Sequence, residues 1–165
     1  NRYRQSIRRD ENFVPARVNL ADLVNREGDK AQAERLWREV TKLMPEWGDG
    51  FYSLGLLVAE DPGRLKEASG ILETAARKMP GHPRVHYNLG ISLWQLGEKA
   101  KGARFLIQAG KIDPTESQYP LGLAQFYAQE KNWRAALPHA QRAAELAPTN
   151  QDVHRLLSRI NSKLQ

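Results

Sequence analysis

The histidines are the side chains of this 165-residue chain whose types and spacing could do chemistry. His82 and His86 form a His-x-x-x-His pair, the spacing at which two imidazoles on one face of a helix can hold a zinc ion. His82 falls in the loop before the predicted helix, however, and no carboxylate follows at a useful spacing. His139 and His154 have no companion ligands in the sequence. We therefore expect no metal site, and we interpret the pair as surface and packing residues.

Two glycines have the spacing of a phosphate-binding loop. After Gly97 and Gly102, however, Ala103 and Arg104 stand where such a loop needs Lys and Ser or Thr, and no strand precedes it. A turn glycine and a helix-packing glycine explain the two residues better. The absence of cysteine excludes disulfides, thiolate zinc sites, Cys-attached haem and cysteine nucleophiles. Because no Ser-His-Asp set can be assembled either, we predict that the chain is not an enzyme and binds neither a cofactor nor a small-molecule substrate.

An internal repeat of 34 residues determines which elements would position any site. Its first column is a leucine followed by a small residue: Leu20, Leu54, Leu89, Leu123 and Leu157. A closing proline recurs with the same period, with one extra residue in the second repeat: Pro45, Pro80, Pro114 and Pro148. Two more columns hold small or β-branched residues: Ala33, Ala68, Gly102 and Ala136, then Val40, Ala75, Ala109 and Ala143. So many coincident columns indicate a repeat protein.

Each repeat predicts a pair of helices joined by a turn. Leu20, Ala21 and Val24 have the spacing of one helical face, and a second apolar face follows the turn. The turn position is Gly28, Gly63 or Gly97, where glycine can take the left-handed backbone that ends a helix, and it is Lys131 in the fourth repeat. Small residues let two helices approach closely. Because one pair cannot bury its apolar face alone, neighbouring pairs must stack.

These columns resemble the tetratricopeptide repeat family. The resemblance implies an all-α fold, an α-α superhelix or solenoid of four repeats at 14–47, 48–82, 83–116 and 117–150. Residues 1–13 would be the second helix of a truncated preceding repeat, and residues 151–165 a capping helix. Besides Lys131, two residues depart from the pattern: Pro120 lies early in a first helix, and Pro138 falls inside a second helix, which we expect it to kink.

In this family the first helices line a concave groove that binds peptides or helices of other proteins, so the resemblance implies such a groove here. Helical geometry places an apolar and aromatic surface in the groove, flanked by side-chain amides. The candidate residues are Tyr52, Leu56, Tyr87, Ile91 and Trp94, with Asn19, Asn88 and Gln125 beside them. The alternative is that the aromatic stripe only packs one repeat against the next. Trp94 is the strongest candidate for the groove, because we expect its face to point away from the small-residue column.

One variant of the family grips a partner's C-terminal carboxylate with Lys, Asn and Arg side chains on three consecutive first helices. Val18 and Asp22 stand where the Lys and Asn would be needed, and the second repeat offers Ser53. Arg84 and Asn88 are partial matches. The sequence therefore disfavours a clamp for chaperone tails.

The formal charge of +6 calls for a test of nucleic-acid binding. No repeat is strongly basic, and the aromatic stripe is not interleaved with Lys or Arg as in strand-binding platforms. Two basic clusters stand near the ends of the chain, Arg2, Arg4, Arg8 and Arg9, and Arg155, Arg159 and Lys163. We interpret both as solvated faces, which disfavours nucleic acid as the partner.

We therefore predict a scaffold or adaptor that binds a peptide or helix of a partner protein. Two alternatives are a recognition module of a larger enzyme or cytochrome and, less favoured, a binder of single-stranded RNA. The start at Asn1 suggests a piece of a longer protein, and the N-terminal half-repeat could pair with a second copy. No apolar run is long enough to span a membrane, and no targeting signal is seen. The composition has a bacterial character that leaves cytoplasm and periplasm both open.

Overall fold

The computed structural model describes residues 2–165, and Asn1, which belongs to the predicted half-repeat, lies outside them. The described residues form ten α-helices and one short 3-10 helix, with no strand among them. The predicted all-α class is confirmed. The chain divides into two compact units, Asn1–Pro80 and Gly81–Gln165, which we call unit 1 and unit 2.

Unit 1 consists of consecutive antiparallel helix pairs after a short first helix. Its elements are α1 (Arg2–Arg9), α2 (Val14–Arg26), α3 (Lys30–Leu43), α4 (Gly48–Ala59), the 3-10 helix (Pro62–Arg64) and α5 (Leu65–Lys78). Helix α2 packs on α3 and α4 packs on α5, while α1 covers part of α2. Repeat-column residues form the core, and Ala21, Ala33 and Val40 are fully buried. The apolar periodicity therefore places the buried face of each helix, as expected for stacked pairs.

Unit 2 repeats this arrangement and ends with an additional helix. Its elements are α6 (Pro83–Gln95), α7 (Lys99–Ile112), α8 (Gln118–Gln129), α9 (Trp133–Leu146) and α10 (Gln151–Ser162). Helices α6 and α7 form one pair, α8 and α9 form the next, and α10 packs on α9. Asn150 begins α10 as its N-cap, because its side-chain oxygen accepts hydrogen bonds from the backbone N–H groups of Asp152 and Val153.

Small residues allow the helices of a pair to approach closely. A Cβ built on Gly102 of α7 would lie 2.7 Å from the carbonyl oxygen of Gly90 in α6, which leaves no room for a side chain. In unit 1, a Cβ on Gly55 would lie 2.7 Å from Cδ2 of the buried Leu72. The helix-packing role predicted for Gly102 is therefore confirmed.

The turns between paired helices follow two designs. Gly28, Gly97 and Lys131 adopt φ angles of 89°, 92° and 58°, the left-handed conformation expected at the turn position. Gly63 does not, because it lies in the 3-10 helix, where its N–H donates to Oδ1 of Asp61 at 2.8 Å. The prediction for Gly63 is wrong, because the extra residue of the second repeat is accommodated by a 3-10 turn instead.

The two irregular prolines lie within helices that are continuous. Pro120 lies in the first turn of α8, where backbone N–H groups have no acceptor within the helix. A proline, which lacks the N–H, therefore costs no helical hydrogen bond there. Pro138 lies inside α9, yet the helix runs unbroken from Trp133 to Leu146. Pro138 is on an exposed face, so water can bond to the carbonyl that loses its partner. Neither proline ends its helix.

Candidate functional site

In unit 2, Tyr87 lies where the two first helices, α6 and α8, come together. A Cβ built on Gly122 of α8 would be 3.2 Å from the Tyr87 ring, so the glycine makes space for the tyrosine. The rings of Tyr87 and Tyr119 are 5.3 Å apart. Burial raises the pKa of the Tyr87 hydroxyl, and a hydrogen bond with the Gln118 side chain opposes that shift. Tyr87 therefore packs between the helices and bonds across them.

Trp94 is buried, with 7% of its surface exposed. Its ring stacks on Phe126 at a centroid distance of 4.8 Å and meets the edge of Tyr127 at 5.4 Å. It belongs to the same apolar cluster as Leu106 and Leu123. Between the two alternatives left by the sequence, the structure favours packing for Trp94. Nothing in the repeat columns indicates that Phe126 and Tyr127, 32 and 33 residues further along, cover the ring.

The other unit 2 candidates lie nearer the surface. Ile91 and Asn88 on α6 are half-buried, and Gln125 on α8 is exposed. Sequence reasoning missed that Gln125 belongs to a row of glutamines. Gln118, Gln125 and Gln129 are exposed and spaced i, i+7, i+11, which places them on one side of α8. The helical spacing was the signal that could have found them.

In unit 1, the candidates are distributed over α2 and α4. Tyr52 is half-buried, while Leu56 is 37% exposed. Asn19 is exposed at the edge of an apolar pocket that the sequence did not reveal. The pocket is lined by Val14, Pro15, Val18, Asn19, Met44 and Trp47. Sequence reasoning missed it because Met44 and Trp47 come from the segment after α3, outside the first-helix stripe.

The charges of unit 1 are concentrated on its second helices. Arg64 donates to both carboxylate oxygens of Glu34, at 2.7 and 2.8 Å, and Arg38 donates to Glu34 at 2.7 Å and also pairs with Glu67. The hydrogen bonds from Arg64 and then Arg38 lower the pKa of Glu34 to about 2, against the opposing effect of burial. This cluster connects α3 with α5 and leaves the first helices out.

Two of the histidines stack on aromatic rings, and a third contacts a backbone carbonyl. The His139 ring stacks on Tyr127 at 5.8 Å, and burial lowers its pKa. The His86 ring stacks on Phe105 at 5.9 Å. His154 Nε2 is 2.7 Å from the carbonyl oxygen of Pro148. Within residues 2–165, no three His, Asp or Glu side chains are grouped as metal ligands would be. Over the same residues, no helix combines the length and apolar character needed to cross a membrane.

Comparison with known proteins identifies the repeat. Residues 59–126 match the sequence model of a tetratricopeptide repeat. The search of curated proteins gives no match. Among solved structures, MamA (residue 41 to the end) from Desulfovibrio magneticus RS-1 is 21% identical at a TM-score of 0.82, covering 90% of this chain and 84% of that chain.

Two further structures are similar over nearly the whole chain. YrrB, described as a TPR protein with an unusual peptide-binding site, is 17% identical at a TM-score of 0.80, covering 98% of this chain and 83% of its own. TTC0263, a thermophilic TPR protein of Thermus thermophilus, is 23% identical at a TM-score of 0.70, covering 98% of this chain and 87% of its own. At such identities the likeness establishes the fold. Residues 59–126 therefore match a tetratricopeptide repeat, and the chain has the fold of these tetratricopeptide repeat structures.

Proposed function

We propose that this chain is a non-catalytic scaffold or adaptor that binds a segment of a partner protein on the first helices of its repeats. The tetratricopeptide fold fits a protein–protein interaction module. The observation that carries the proposal is the full or partial exposure of apolar side chains on the first helices. Leu56 on α4 is exposed, and Ile91 on α6 is half-exposed beside amide side chains. Apolar anchors flanked by adaptable polar groups are typical of interaction surfaces.

The candidate residues differ in their exposure and therefore in the role that we propose for them. Leu56, Tyr52 and Asn19 in unit 1 and Ile91, Asn88 and Gln125 in unit 2 are at least partly exposed. Tyr87 lies between α6 and α8 and supports the unit 2 residues. Trp94 supports α6 and α8 from beneath, because it is buried and its ring stacks on Phe126. YrrB, which shares the fold, is described as having a peptide-binding site, and this lends support to a peptide ligand here.

The test uses the absence of native cysteine, which lets one introduced thiol carry a photo-crosslinker. Leu56→Cys and Gln125→Cys place the crosslinker on first helices. Leu43→Cys and Gln108→Cys are matched controls on the second helices α3 and α7, since Leu43 is 38% exposed and Gln108 is also exposed. In native lysate, we expect protein adducts from the first pair and background from the controls. Adducts that form equally from the controls, or no adducts at all, would contradict the proposal.

A further inference from the structure

Unit 2 contains a cavity between its second helices, α7 and α9, and the start of α8. Its volume is about 170 Å³, and Leu106, Ile107, Leu123 and Leu146 supply apolar walls. None of the candidate residues on the first helices lines it. A cavity of about 150 Å³ can hold one benzene ring. The cavity in unit 2 therefore has room for a single aromatic ring.

The cavity exists because two repeat columns carry small residues at this place. Pro120, which lines it, stands in a column that holds a longer side chain in each of the other three repeats: Arg17, Phe51 and His86. Gly110 of α7 also lines the cavity, and a Cβ built on it would find only Tyr119 Cβ, at 3.8 Å. The fourth repeat is therefore left open where the others are filled.

The preceding helix pair shows which chemistry fills the equivalent space. His86 of α6 is 7% exposed, and its ring stacks on Phe105 of α7 with the centroids 5.9 Å apart. One repeat period of 34 residues later, His139 of α9 stands at the position of Phe105 and lines the cavity. Pro120, at the position of His86, has no aromatic ring to place on it. The last helix pair thus keeps the receiving ring and lacks the ring that would stack on it.

His139 can receive a second ring. Tyr127 stacks on it at 5.8 Å but does not line the cavity, so the imidazole presents another part of its surface there. Burial lowers the pKa of His139, which keeps the imidazole neutral at neutral pH. Aromatic rings in stacked or edge contact, with centroids about 4.5–7 Å apart, gain stability beyond the burial of their area. The cavity therefore favours a planar aromatic group over an aliphatic one.

Polar groups are also among the lining residues. Asp113 and Glu116 lie on the connection between α7 and α8, and their carboxylates can accept a hydrogen bond from a hydroxyl or N–H group. Arg142 of α9 donates to the carbonyl oxygen of Pro114 at 3.2 Å and pairs with Glu145 at 2.9 Å. The bond to Pro114 joins α9 to this connection beside the cavity, which leaves less room for the backbone of a partner segment. A free compound therefore fits better than a side chain that brings its backbone with it.

From this arrangement we propose that the cavity binds a small, neutral aromatic compound of one ring that carries a hydroxyl or N–H group. Its ring stacks on His139, and its polar group donates to Asp113 or Glu116. The site goes beyond the proposed function, because it lies between second helices and takes a free compound instead of a protein segment. The inference concerns binding alone and assigns no reaction to the compound.

The experiment is a titration of the whole chain with 4-fluorophenol, followed by fluorine NMR. We expect saturable binding with a Kd of about 1 mM or tighter. Pro120→His restores the side chain of the third repeat and should weaken binding at least about tenfold, because its ring occupies the cavity. Gln129→His is the matched control, since it places the same side chain at an exposed position near the other end of α8. It should leave the Kd unchanged.

A second pair of variants keeps the test independent of Pro120. His139→Ala should weaken 4-fluorophenol about fivefold, the change expected for the loss of one aromatic contact. His139→Phe, which introduces the residue of the third repeat, should retain the binding. Circular dichroism checks that each variant keeps its helices. A Kd that stays the same in both Pro120→His and His139→Ala would overturn the inference.

Two further compounds test the class of ligand. Cyclohexanol has a hydroxyl group on a saturated ring and should bind at least about fivefold more weakly than 4-fluorophenol. N-acetyltyrosinamide carries the same phenol on a peptide backbone, and it should also bind more weakly. Equal binding of cyclohexanol, tighter binding of N-acetyltyrosinamide, or no saturation by 4-fluorophenol up to about 10 mM would each overturn the inference. The variants leave Leu56 and Gln125 unchanged, so such a failure would not affect the proposed function.

Discussion

The two units share one helix-pair geometry but hold their helices together with different chemistry. In unit 1, guanidinium and carboxylate groups connect second helices, with Arg64 bonded to both oxygens of Glu34. In unit 2, aromatic rings connect first helices, with Trp94 stacked on Phe126 at 4.8 Å. The repeat columns specify where backbones approach, while the positions between the columns are free to supply either kind of contact.

The faces of the first helices differ in the same way. Four exposed, charged residues lie on the first helices of unit 1 or directly after them: Asp22, Arg26, Asp49 and Glu60. At the equivalent repeat positions of unit 2, α6 has Arg84, Ile91 and Gln95, and α8 has Gln118, Gln125 and Gln129. Equivalent positions thus carry mostly charges in unit 1 and mostly amides in unit 2, where Arg84 is the charged exception. The outward positions of the first helices can therefore differ in chemistry between the units while the helix pairs keep the same geometry.

The largest expected effect comes from removing the aromatic stack of unit 2. Trp94→Ala deletes a buried ring that contacts Phe126 and Tyr127, and we expect it to lower the free energy of unfolding by about 3–5 kcal/mol. Urea denaturation followed by circular dichroism measures the loss. Trp133→Ala is the control in the same unit, because Trp133 is only half-buried and Arg159 lies over its ring at 5.6 Å. If both variants lose the same free energy of unfolding, the stacking of Trp94 on Phe126 stabilises unit 2 no more than a half-buried tryptophan does.

Closing the gap between α6 and α7 should have the next largest effect. In Gly102→Ala the new methyl group would meet the backbone oxygen of Gly90 at 2.7 Å, so the helices must separate, and we expect a loss of about 1–3 kcal/mol. Gly110→Ala on the same helix is the matched control. Its methyl group would find only Tyr119 Cβ, at 3.8 Å, so the better helix propensity of alanine should raise the free energy of unfolding by about 0.5–1 kcal/mol.

Gly55 in unit 1 and Gly102 in unit 2 are both closely packed, but against different groups. A methyl group at Gly55 in unit 1 would meet the side chain of Leu72 at 2.7 Å, whereas at Gly102 it would meet backbone. A side chain can rotate away, but backbone cannot move without shifting a helix. We therefore expect Gly55→Ala to lower the melting temperature less than Gly102→Ala. A larger loss of melting temperature for Gly55→Ala would mean that the Leu72 side chain is held more rigidly than the backbone of α6.

The sequence predicted what recurs and missed what occurs once. Leu20 and Leu89 mark buried helix faces because burial recurs with the period of the backbone. Gly63 shares a column with Gly28 and Gly97, but its turn is different because one extra residue precedes it. Trp94 has the spacing of a groove residue, and its burial depends on Phe126 in another repeat. Contacts between positions that differ from repeat to repeat cannot be read from columns.

A smaller effect should follow from relaxing the turn at Lys131. Its φ of 58° brings its Cβ close to the following carbonyl oxygen, which strains the backbone. Gly97, whose φ is 92° in the turn of the preceding repeat, avoids this strain because glycine has no Cβ. Lys131→Gly should raise the free energy of unfolding by up to about 1 kcal/mol, and Gly97→Ala should lower it by a similar amount. Thermal melts of the two variants check this opposition of sign. Shifts in the same direction would show that the side chains, rather than the backbone angles, decide the stability of these turns.

The smallest effect concerns the charged cluster of unit 1, and it depends on pH. The pKa of Glu34 falls from 4.5 to about 2 on folding, chiefly through hydrogen bonds from Arg64, so the native state favours the carboxylate. The interactions that lower this pKa therefore stabilise the folded state above about pH 4.5, and this stability is lost as the pH falls from about 4.5 to about 2.

Because Arg38 is 40% exposed and screened by water, we expect Glu34→Gln to lower the free energy of unfolding by no more than about 1 kcal/mol at neutral pH. Urea titrations of the variant and the parent chain should differ at pH 7 and converge towards pH 2, with a smaller difference at high salt. Glu145→Gln in unit 2, which alters the exposed pair with Arg142, is the control for removing one surface carboxylate. A difference for Glu34→Gln that persists unchanged at pH 2 would mean that its shape, rather than its charge, connects α3 with α5.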